Sequence, residues 1–231
     1  MTKAIGLLGG MSWESTLSYY QAINQGIQRE LGGLHSAKIW LHSVDFAEIA
    51  SLQRAEDWVT SAKLLSAAAI SLQNSGAECL LICTNTMHMV AAEVASAVTI
   101  PLIHIADATA IQLQNDGHKK VALLGTRFTM EKRFYKDRLR EQFNIDVLIP
   151  ELSPREQIHD IIYQELCQGI IRTESRAAFL AIVETLTMQG AEAIILGCTE
   201  IGLLLRTSDT DVPLYDTAQI HAQAAAAFAL S

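Results

Sequence analysis

The chain of 231 residues is long enough for one large domain or two small ones, and half of its residues are hydrophobic, so it can bury a sizeable core. Its 17 basic and 25 acidic residues leave a net charge of −8, which argues against nucleic acid or an anionic membrane as the main partner. No apolar run approaches the roughly 18 residues that a membrane span requires.

Short apolar runs alternate with helical patterns along the chain, a rhythm typical of parallel α/β folds. The predicted strands are Ala4–Gly9, Ile39–Val44, Cys79–Cys83, Leu102–Ile105, Val121–Gly125, Ile145–Ile149, Ala193–Gly197 and Pro213–Tyr215. Most of these runs are continuously apolar, which favours strands covered on both faces.

Helical patterns lie between the predicted strands, for example at Ala62–Ser75 and Ala177–Gln189. A helix start is predicted at Ser153, with serine as the N-cap and a proline in the first turn. The Asn-Asp-Gly sequence at 115–117 predicts a turn between a helix and a strand.

Three segments of the first half recur in the same order in the second half. Residues 4–9 resemble 120–125, residues 76–82 resemble 190–196, and residues 100–102 resemble 212–214. We therefore predict an α/β fold of two pseudo-symmetric lobes, each a parallel sheet flanked by helices. The predicted lobes are residues 1–105 together with 213–231, and residues 106–212, and the C-terminal helix could pack on either lobe.

Polar residues follow two equivalent predicted strands. Ligands of open parallel sheets bind beyond the C-terminal strand ends, so we expect the active site in the cleft between the lobes. The repeat pairs Thr84 with Cys198 and pairs Cys83 with Gly197. Successive side chains of a strand point to opposite faces, so Cys83 and Thr84 are not expected to share the cleft. Cys79 and Cys167 are interpreted as packing residues.

Several other site types find little support in the sequence. Four cysteines do not form a disulfide scaffold, and with no convincing export signal we expect reduced thiols and a cytoplasmic protein. Cys79, Cys83 and His88 lack a second ligand pair at zinc spacing, so we expect no metal. Neither a dinucleotide-binding nor a P-loop glycine pattern occurs, so we expect no such cofactor.

The sequences GLLGGMSWEST near the start, CTNTMH at 83–88, LLGTRFTM at 123–130 and GCTEIGLL at 197–204 resemble those of the aspartate/glutamate racemase family, in the family's order. The resemblance implies a homodimer that racemises a small amino acid without pyridoxal phosphate or another cofactor. It further implies one acid/base residue on each side of the substrate α-carbon. Thiols suit that role where their surroundings lower the pKa, and helix N-termini after both strand ends would stabilise a thiolate.

One position departs from the family pattern. Family members commonly have Cys-Asn-Thr where this chain has Thr84 before Asn85, with Cys83 one place earlier. We infer that Cys198 is the dependable acid/base residue and that Thr84 is a weak proton donor or relays protons through a water or a neighbouring group. Whether Cys83 substitutes for Thr84 stays open.

The motifs also indicate residues that line the substrate site. The predicted substrate-binding residues are Met11, Gln53, Asn85, Thr86, Thr126, Thr199 and Glu200. By resemblance, Asn85 and Thr86 donate to the α-carboxylate, and Glu200 lies near the amino group. Arg54 is either a partner for an acidic side chain or an exposed surface residue, and His88 and His104 either face the cleft or support it. Many relatives carry a lysine near residues 165–169, where this chain has none, so neutral polar amino acids are also candidate substrates.

Two other functions remain as alternatives at this point. A single well-placed cysteine also suits a decarboxylase or isomerase of the same superfamily, since a decarboxylase needs one proton donor. A pair of α/β lobes around a cleft is also compatible with a small-molecule binding protein.

Overall fold

The structure, a computed structural model, describes residues 2–231 and divides into two compact units. The first unit comprises Met1–Ile105 and Ala218–Ser231, and the second comprises Ala106–Thr217. Each unit contains one parallel sheet with helices around it, as predicted. None of the helices within residues 2–231 combines the length and hydropathy needed to cross a membrane.

The first unit contains a three-stranded sheet. Its elements are β1 (Ile5–Gly9), α1 (Trp13–Leu31), β2 (Ile39–Ser43), α2 (Phe46–Arg54), α3 (Trp58–Asn74), β3 (Cys79–Ile82), a 3-10 helix (Thr86–Val90) and α4 (Ala91–Ser96). The strand order is β2-β1-β3, and both pairings are parallel.

The second unit contains a four-stranded sheet. Its elements are α5 (Ile105–Asn115), β4 (Lys120–Gly125), α6 (Arg127–Glu131), α7 (Arg133–Phe143), β5 (Asp146–Leu148), α8 (Leu152–Gln164), α9 (Thr173–Met188), β6 (Ala193–Gly197), α10 (Ile201–Leu204) and β7 (Leu214–Asp216), with 3-10 turns at Leu166–Gln168 and Thr207–Asp209. The strand order is β5-β4-β6-β7, all parallel. The last helix, α11 (Thr217–Leu230), belongs almost entirely to the first unit.

The strand registers place the repeated segments at equivalent positions. Ile5 of β1 pairs with Cys79 of β3, and the corresponding pair of the second sheet is Val121 with Ala193. The third repeated segment also pairs equivalently, because Leu80 forms a bridge to Leu102 and Ile194 pairs with Leu214. The two sheets therefore share one strand order, with β7 represented in the first sheet by a single bridge.

The inner strands are covered on both faces, as their continuous apolar runs predict. On one face of the first sheet, Leu8, Leu80 and Ile82 pack in a cluster with residues of α3 and α4. On the other face, Leu7 and Leu81 pack with residues of α1 and with the buried alanines of α11. The C-terminal helix thus contributes to the core of the first unit. The edge strand β2 is largely exposed.

Three boundaries differ from the sequence prediction. The chain returns to the first unit near residue 218 rather than 213, because β7 pairs with β6 and so belongs to the second sheet. The strand predicted at Leu102–Ile105 is reduced to a bridge, since α5 begins at Ile105. Helix α8 begins at Leu152, one residue before the predicted cap at Ser153, and a first turn tolerates Pro154 there because its N–H groups have no intrahelical partner. The turn at 115–117 is confirmed, with Gly117 at φ 82°.

Candidate active site

Two glycines shape the end of β6, where the candidate thiol lies. Gly125 of β4 and Gly197 of β6 are register partners. A Cβ atom on Gly197 would lie 2.5 Å from Cδ1 of Leu123 and 2.9 Å from the carbonyl oxygen of Leu124. Only glycine fits between these neighbours without displacing them. The two strand ends therefore stay close together, and Cys198 is the first residue beyond them.

Cys198 takes part in a buried network with the two residues that follow it. Its thiol donates a hydrogen bond to Oε2 of Glu200 at 2.9 Å, and the hydroxyl of Thr199 donates to the same oxygen at 2.8 Å. Cys198 is 7% exposed and Glu200 is 2% exposed. One carboxylate oxygen is thus held beside a thiol in a nearly dry environment, which suits transfer of the thiol proton to that carboxylate.

The surroundings of Cys198 keep its thiol protonated at rest. Burial raises the pKa of Cys198 well above its ordinary value, and the negative charge of Glu200 raises that pKa further. The backbone N–H of Glu200, at the start of α10, lowers this pKa as a helix N-terminus is expected to, but burial and the Glu200 carboxylate outweigh it. Helix α10 has only four residues, and Glu200 places a negative charge at its start.

The corresponding strand end in the first unit presents a threonine. Cys83 is fully buried in the cluster that contains Tyr19 and Leu81, and this burial raises the pKa of its thiol strongly. Thr84, the next residue, is 8% exposed. Its side chain makes no hydrogen bond to any residue within 2–231. Cys83 is therefore a core residue with no exposed surface, which does not favour it as the replacement for Thr84.

The remaining predicted residues of the first unit lie near the same strand end. Asn85 and Thr86 are buried where the 3-10 helix begins. Gln53 is buried in the last turn of α2, and its Nε2 lies 3.1 Å from Sδ of Met87. Met11, after β1, packs in the same apolar cluster as Met87.

The structure also locates three residues of the first unit for which the sequence left two interpretations. Arg54 is exposed at the end of α2, in agreement with the surface interpretation of that residue. His88 is buried and His104 is half-buried, with their ring centroids 4.5 Å apart.

In the second unit, Thr126 follows β4, the strand beside β6. Thr126 is buried and caps α6, where its Oγ1 accepts a hydrogen bond from the N–H of Thr129 at 3.3 Å. Because Gly125 pairs with Gly197, Thr126 and Cys198 follow neighbouring strand ends. The predicted residues of the second unit, Thr126, Cys198, Thr199 and Glu200, therefore share one edge of its sheet.

A family model described as Asp/Glu/hydantoin racemase matches residues 8–225. The chain belongs to this family. The resemblance inferred from its four motifs is confirmed, and the matched range includes every predicted site residue.

Individual relatives of this racemase-family protein match nearly its whole length in sequence or in structure. A candidate Asp/Glu racemase from Yersinia pestis is 55% identical, with 99% of this chain and 100% of that chain covered and a TM-score of 0.93. An aspartate racemase homologue from Pyrococcus horikoshii OT3 is 33% identical, with 100% of both chains covered and a TM-score of 0.84. The broad-specificity amino-acid racemase RacX of Bacillus subtilis strain 168 is 22% identical over 92% of each protein.

Some residues of this racemase-family protein near the strand ends escaped the sequence analysis. His159 of α8 accepts a hydrogen bond from the N–H of Arg127 at 3.2 Å, and its ring packs 6.3 Å from that of Phe128. Burial and the charge of Arg127 lower the pKa of His159. No local motif joins positions 127 and 159, so only the fold reveals this contact at the end of β4.

A metal site requires several histidine, cysteine or acidic side chains that converge on one ion. Within residues 2–231, no group of three or more histidine, cysteine or acidic side chains is arranged to bind a metal ion. Cys79 and Cys83 instead belong to the apolar cluster of the first unit. Cys167 packs against the apolar cluster of the second unit.

Proposed function

We propose that the protein is an amino-acid racemase that works without pyridoxal phosphate and interconverts the L- and D-forms of aspartate, glutamate or a broader range of polar amino acids. The hydrogen bond between the Cys198 thiol and the Glu200 carboxylate carries this proposal. Membership of the racemase family and the similarity to RacX support it. We further propose that the strand ends at Thr84 and Cys198 serve one substrate.

Proton removal is assigned to Cys198 with the help of Glu200. The thiol proton passes to the Glu200 carboxylate, which leaves a thiolate and a neutral carboxylic acid. The thiolate then removes the α-proton of the substrate and becomes a thiol again, while the electron pair of the broken C–H bond is delocalised into the substrate carboxylate. The raised pKa of Cys198 makes its thiolate a stronger base, which favours abstraction of a weakly acidic α-proton.

Thr84 is assigned to the opposite face of the α-carbon. Its hydroxyl is free of hydrogen bonds to residues 2–231 and is thus available to the substrate or to a water molecule. A hydroxyl is a far weaker acid than a thiol, so the two faces are chemically unequal. The enantiomers have equal free energy, so kcat/KM must be equal in both directions. Exchange of the α-proton without inversion is not bound by this limit and should differ between the enantiomers.

The substrate range is proposed from the side chains near the strand ends. Asn85 and Thr86 are assigned to the α-carboxylate, and Gln53 to a polar group of the side chain. Because Arg54 is exposed, the partner assigned to the substrate side chain is the neutral amide of Gln53. This polarity supports a range that extends from acidic to neutral polar amino acids.

The proposal is tested by incubating the protein with single enantiomers of a panel of amino acids in deuterated water, without added cofactor. Chiral chromatography measures inversion, and NMR measures loss of the α-proton. We expect inversion of at least one acidic or polar amino acid and its loss in Cys198→Ala. Near-normal exchange in Cys198→Ala would refute the role of the thiol. Absence of inversion for every amino acid of the panel would refute the proposed racemase activity.

A decarboxylase is the second candidate because only one of the two proposed acid/base residues has a partner that can take up its proton. Cys198 has a carboxylate partner, whereas the side chain of Thr84 has no hydrogen-bond partner within residues 2–231. A decarboxylase needs only one proton donor. Release of CO₂ from a malonate-type acid, with no inversion of any amino acid, would favour this candidate.

A further inference from the structure

Three histidines of the first unit pack against one another behind the Thr84 strand end. The ring centroids of His88 and His104 are 4.5 Å apart, and those of His88 and His221 are 5.8 Å apart. His88 and His221 are buried, and they come from the 3-10 helix and from α11. Buried imidazoles require hydrogen-bond partners, and those partners fix what each ring can do.

Both ring nitrogens of His88 are bound to backbone groups. Nδ1 lies 2.8 Å from the carbonyl oxygen of Thr84 and must donate, because a carbonyl only accepts. Nε2 accepts a hydrogen bond from the N–H of Ile105 at 3.2 Å. His88 is therefore a neutral ring with its hydrogen on Nδ1. It cannot accept a proton from the Thr84 hydroxyl in this arrangement, since its only lone pair is occupied.

His221 is held in the complementary tautomer. Its Nε2 donates to the carbonyl oxygen of Ile103 at 2.7 Å, so Nδ1 is the acceptor for the Tyr19 hydroxyl at 2.8 Å. Burial lowers the pKa of His221 to about 3, which keeps the ring neutral.

The two rings connect α1 and α11 to the strand end through residues 103–105. Tyr19 on α1 binds His221, His221 binds the backbone at 103, and the backbone at 105 binds His88. His88 in turn holds the carbonyl of Thr84. The orientation of the Thr84 peptide therefore depends on the packing of α1 and α11, two helices that are distant from Thr84 in sequence.

We propose that His88 is a positioning residue for Thr84, with His221 supporting it from α11. This inference rests on the proposed racemase function. His88 acts on the peptide that carries the hydroxyl and takes no part in proton transfer, so its loss impairs only the half-reaction that uses Thr84. Cys198 belongs to the other unit and has its own carboxylate, so its half-reaction is unaffected.

Two substitutions remove the two hydrogen bonds of the His88 ring one at a time. In His88→Asn the amide nitrogen takes the place of Nδ1 and keeps the donor to Thr84. In His88→Gln the longer side chain takes the place of Nε2 and keeps the acceptor for Ile105, but loses the donor. Exchange of the α-proton into deuterated water is measured separately from each enantiomer. Thr84→Ala identifies the enantiomer that depends on Thr84, as the one whose exchange it slows.

We expect His88→Gln to slow exchange of that enantiomer about tenfold, the rate equivalent of one lost hydrogen bond, and to leave the other within about twofold. His88→Asn should retain most of the wild-type rate for both enantiomers. His221→Phe removes both hydrogen bonds of that ring and should show the same one-sided pattern as His88→Gln. His35→Gln removes an exposed histidine of the same unit and should change neither rate. Circular dichroism of each variant checks the fold.

Three results would overturn the positioning role. These are equal slowing of both enantiomers in His88→Gln, loss of activity in His88→Asn as severe as in His88→Gln, and a Thr84→Ala variant that slows neither enantiomer. Failure of the racemase itself would give a different result, because the wild-type protein would then exchange no α-proton at all.

Discussion

His221 makes the stability of the first unit depend on pH in a way that one substitution removes. Its ring is completely buried, which disfavours the charged form, and it donates to the carbonyl of Ile103 and accepts from Tyr19. The pKa is lowered from an ordinary 6.5 to about 3 in the fold. Between these values the unfolded chain binds a proton that the folded chain does not. The contribution of His221 to the free energy of unfolding is therefore fully present above pH 6.5 and is lost progressively as the pH falls towards 3.

The decrease amounts to about 1.4 kcal/mol per pH unit within that window, because one proton is involved. From pH 7 to pH 5 the wild-type protein should lose about 2 kcal/mol through this residue. In His221→Gln the amide can donate to Ile103 and accept from Tyr19, but it does not titrate. The free energy of unfolding of the wild type minus that of the variant should therefore decrease by about 2 kcal/mol over this range.

Urea unfolding followed by tryptophan fluorescence measures this difference, because Trp13, Trp40 and Trp58 all lie in the first unit. Because the two proteins differ only at residue 221, the contributions of all other groups cancel in the comparison. His35→Gln is the matched control for loss of an exposed histidine and should retain the wild-type pH dependence. Parallel curves for the wild type and His221→Gln between pH 7 and 5 would refute the argument.

Three other substitutions test the strand ends. Glu200→Gln removes the charge that raises the pKa of Cys198, so alkylation of Cys198 at pH 8, read by peptide mass spectrometry, should accelerate about tenfold for each unit of pKa lost. Exchange of α-protons should nevertheless fall about a hundredfold, and faster alkylation with normal exchange would contradict the base role of Glu200. Gly197→Ala should destabilise the second unit by about 1–3 kcal/mol, measured by circular dichroism in urea, because its Cβ would overlap Leu123. Cys83→Ala should cost about 1 kcal/mol of stability and leave exchange of both enantiomers within about twofold, since Cys83 is a core residue; loss of exchange would contradict this.

The sequence predicts the features that local periodicity and internal repetition encode. The repeat alignment anticipates the pairing of Ile5 with Cys79 and of Val121 with Ala193, because equivalent strands keep equivalent registers. The continuous apolar run up to Cys83 likewise anticipates that this residue is buried in the core of the first unit. These inferences need only neighbouring residues or a copy of the same unit.

Contacts between distant positions are not predictable by the same reasoning. His221 binds a carbonyl 118 residues away in the chain, and no spacing rule connects them. The effect of Glu200 on Cys198 was also missed, although the two residues are close in sequence. A helix N-terminus and a neighbouring carboxylate shift a thiol pKa in opposite directions, and only the geometry shows that burial and the carboxylate prevail.

The return of α11 to the first unit affects how the chain folds during synthesis. The second unit is one uninterrupted stretch, Ala106–Thr217, whereas the first unit needs residues from both ends of the chain. When the ribosome has released residue 217, all four strands of the second sheet are available. The first unit still lacks the alanines of α11 that complete its core beside α1. The first unit therefore cannot complete its core until the C-terminal segment has been synthesised, whereas the second unit needs no residue beyond 217.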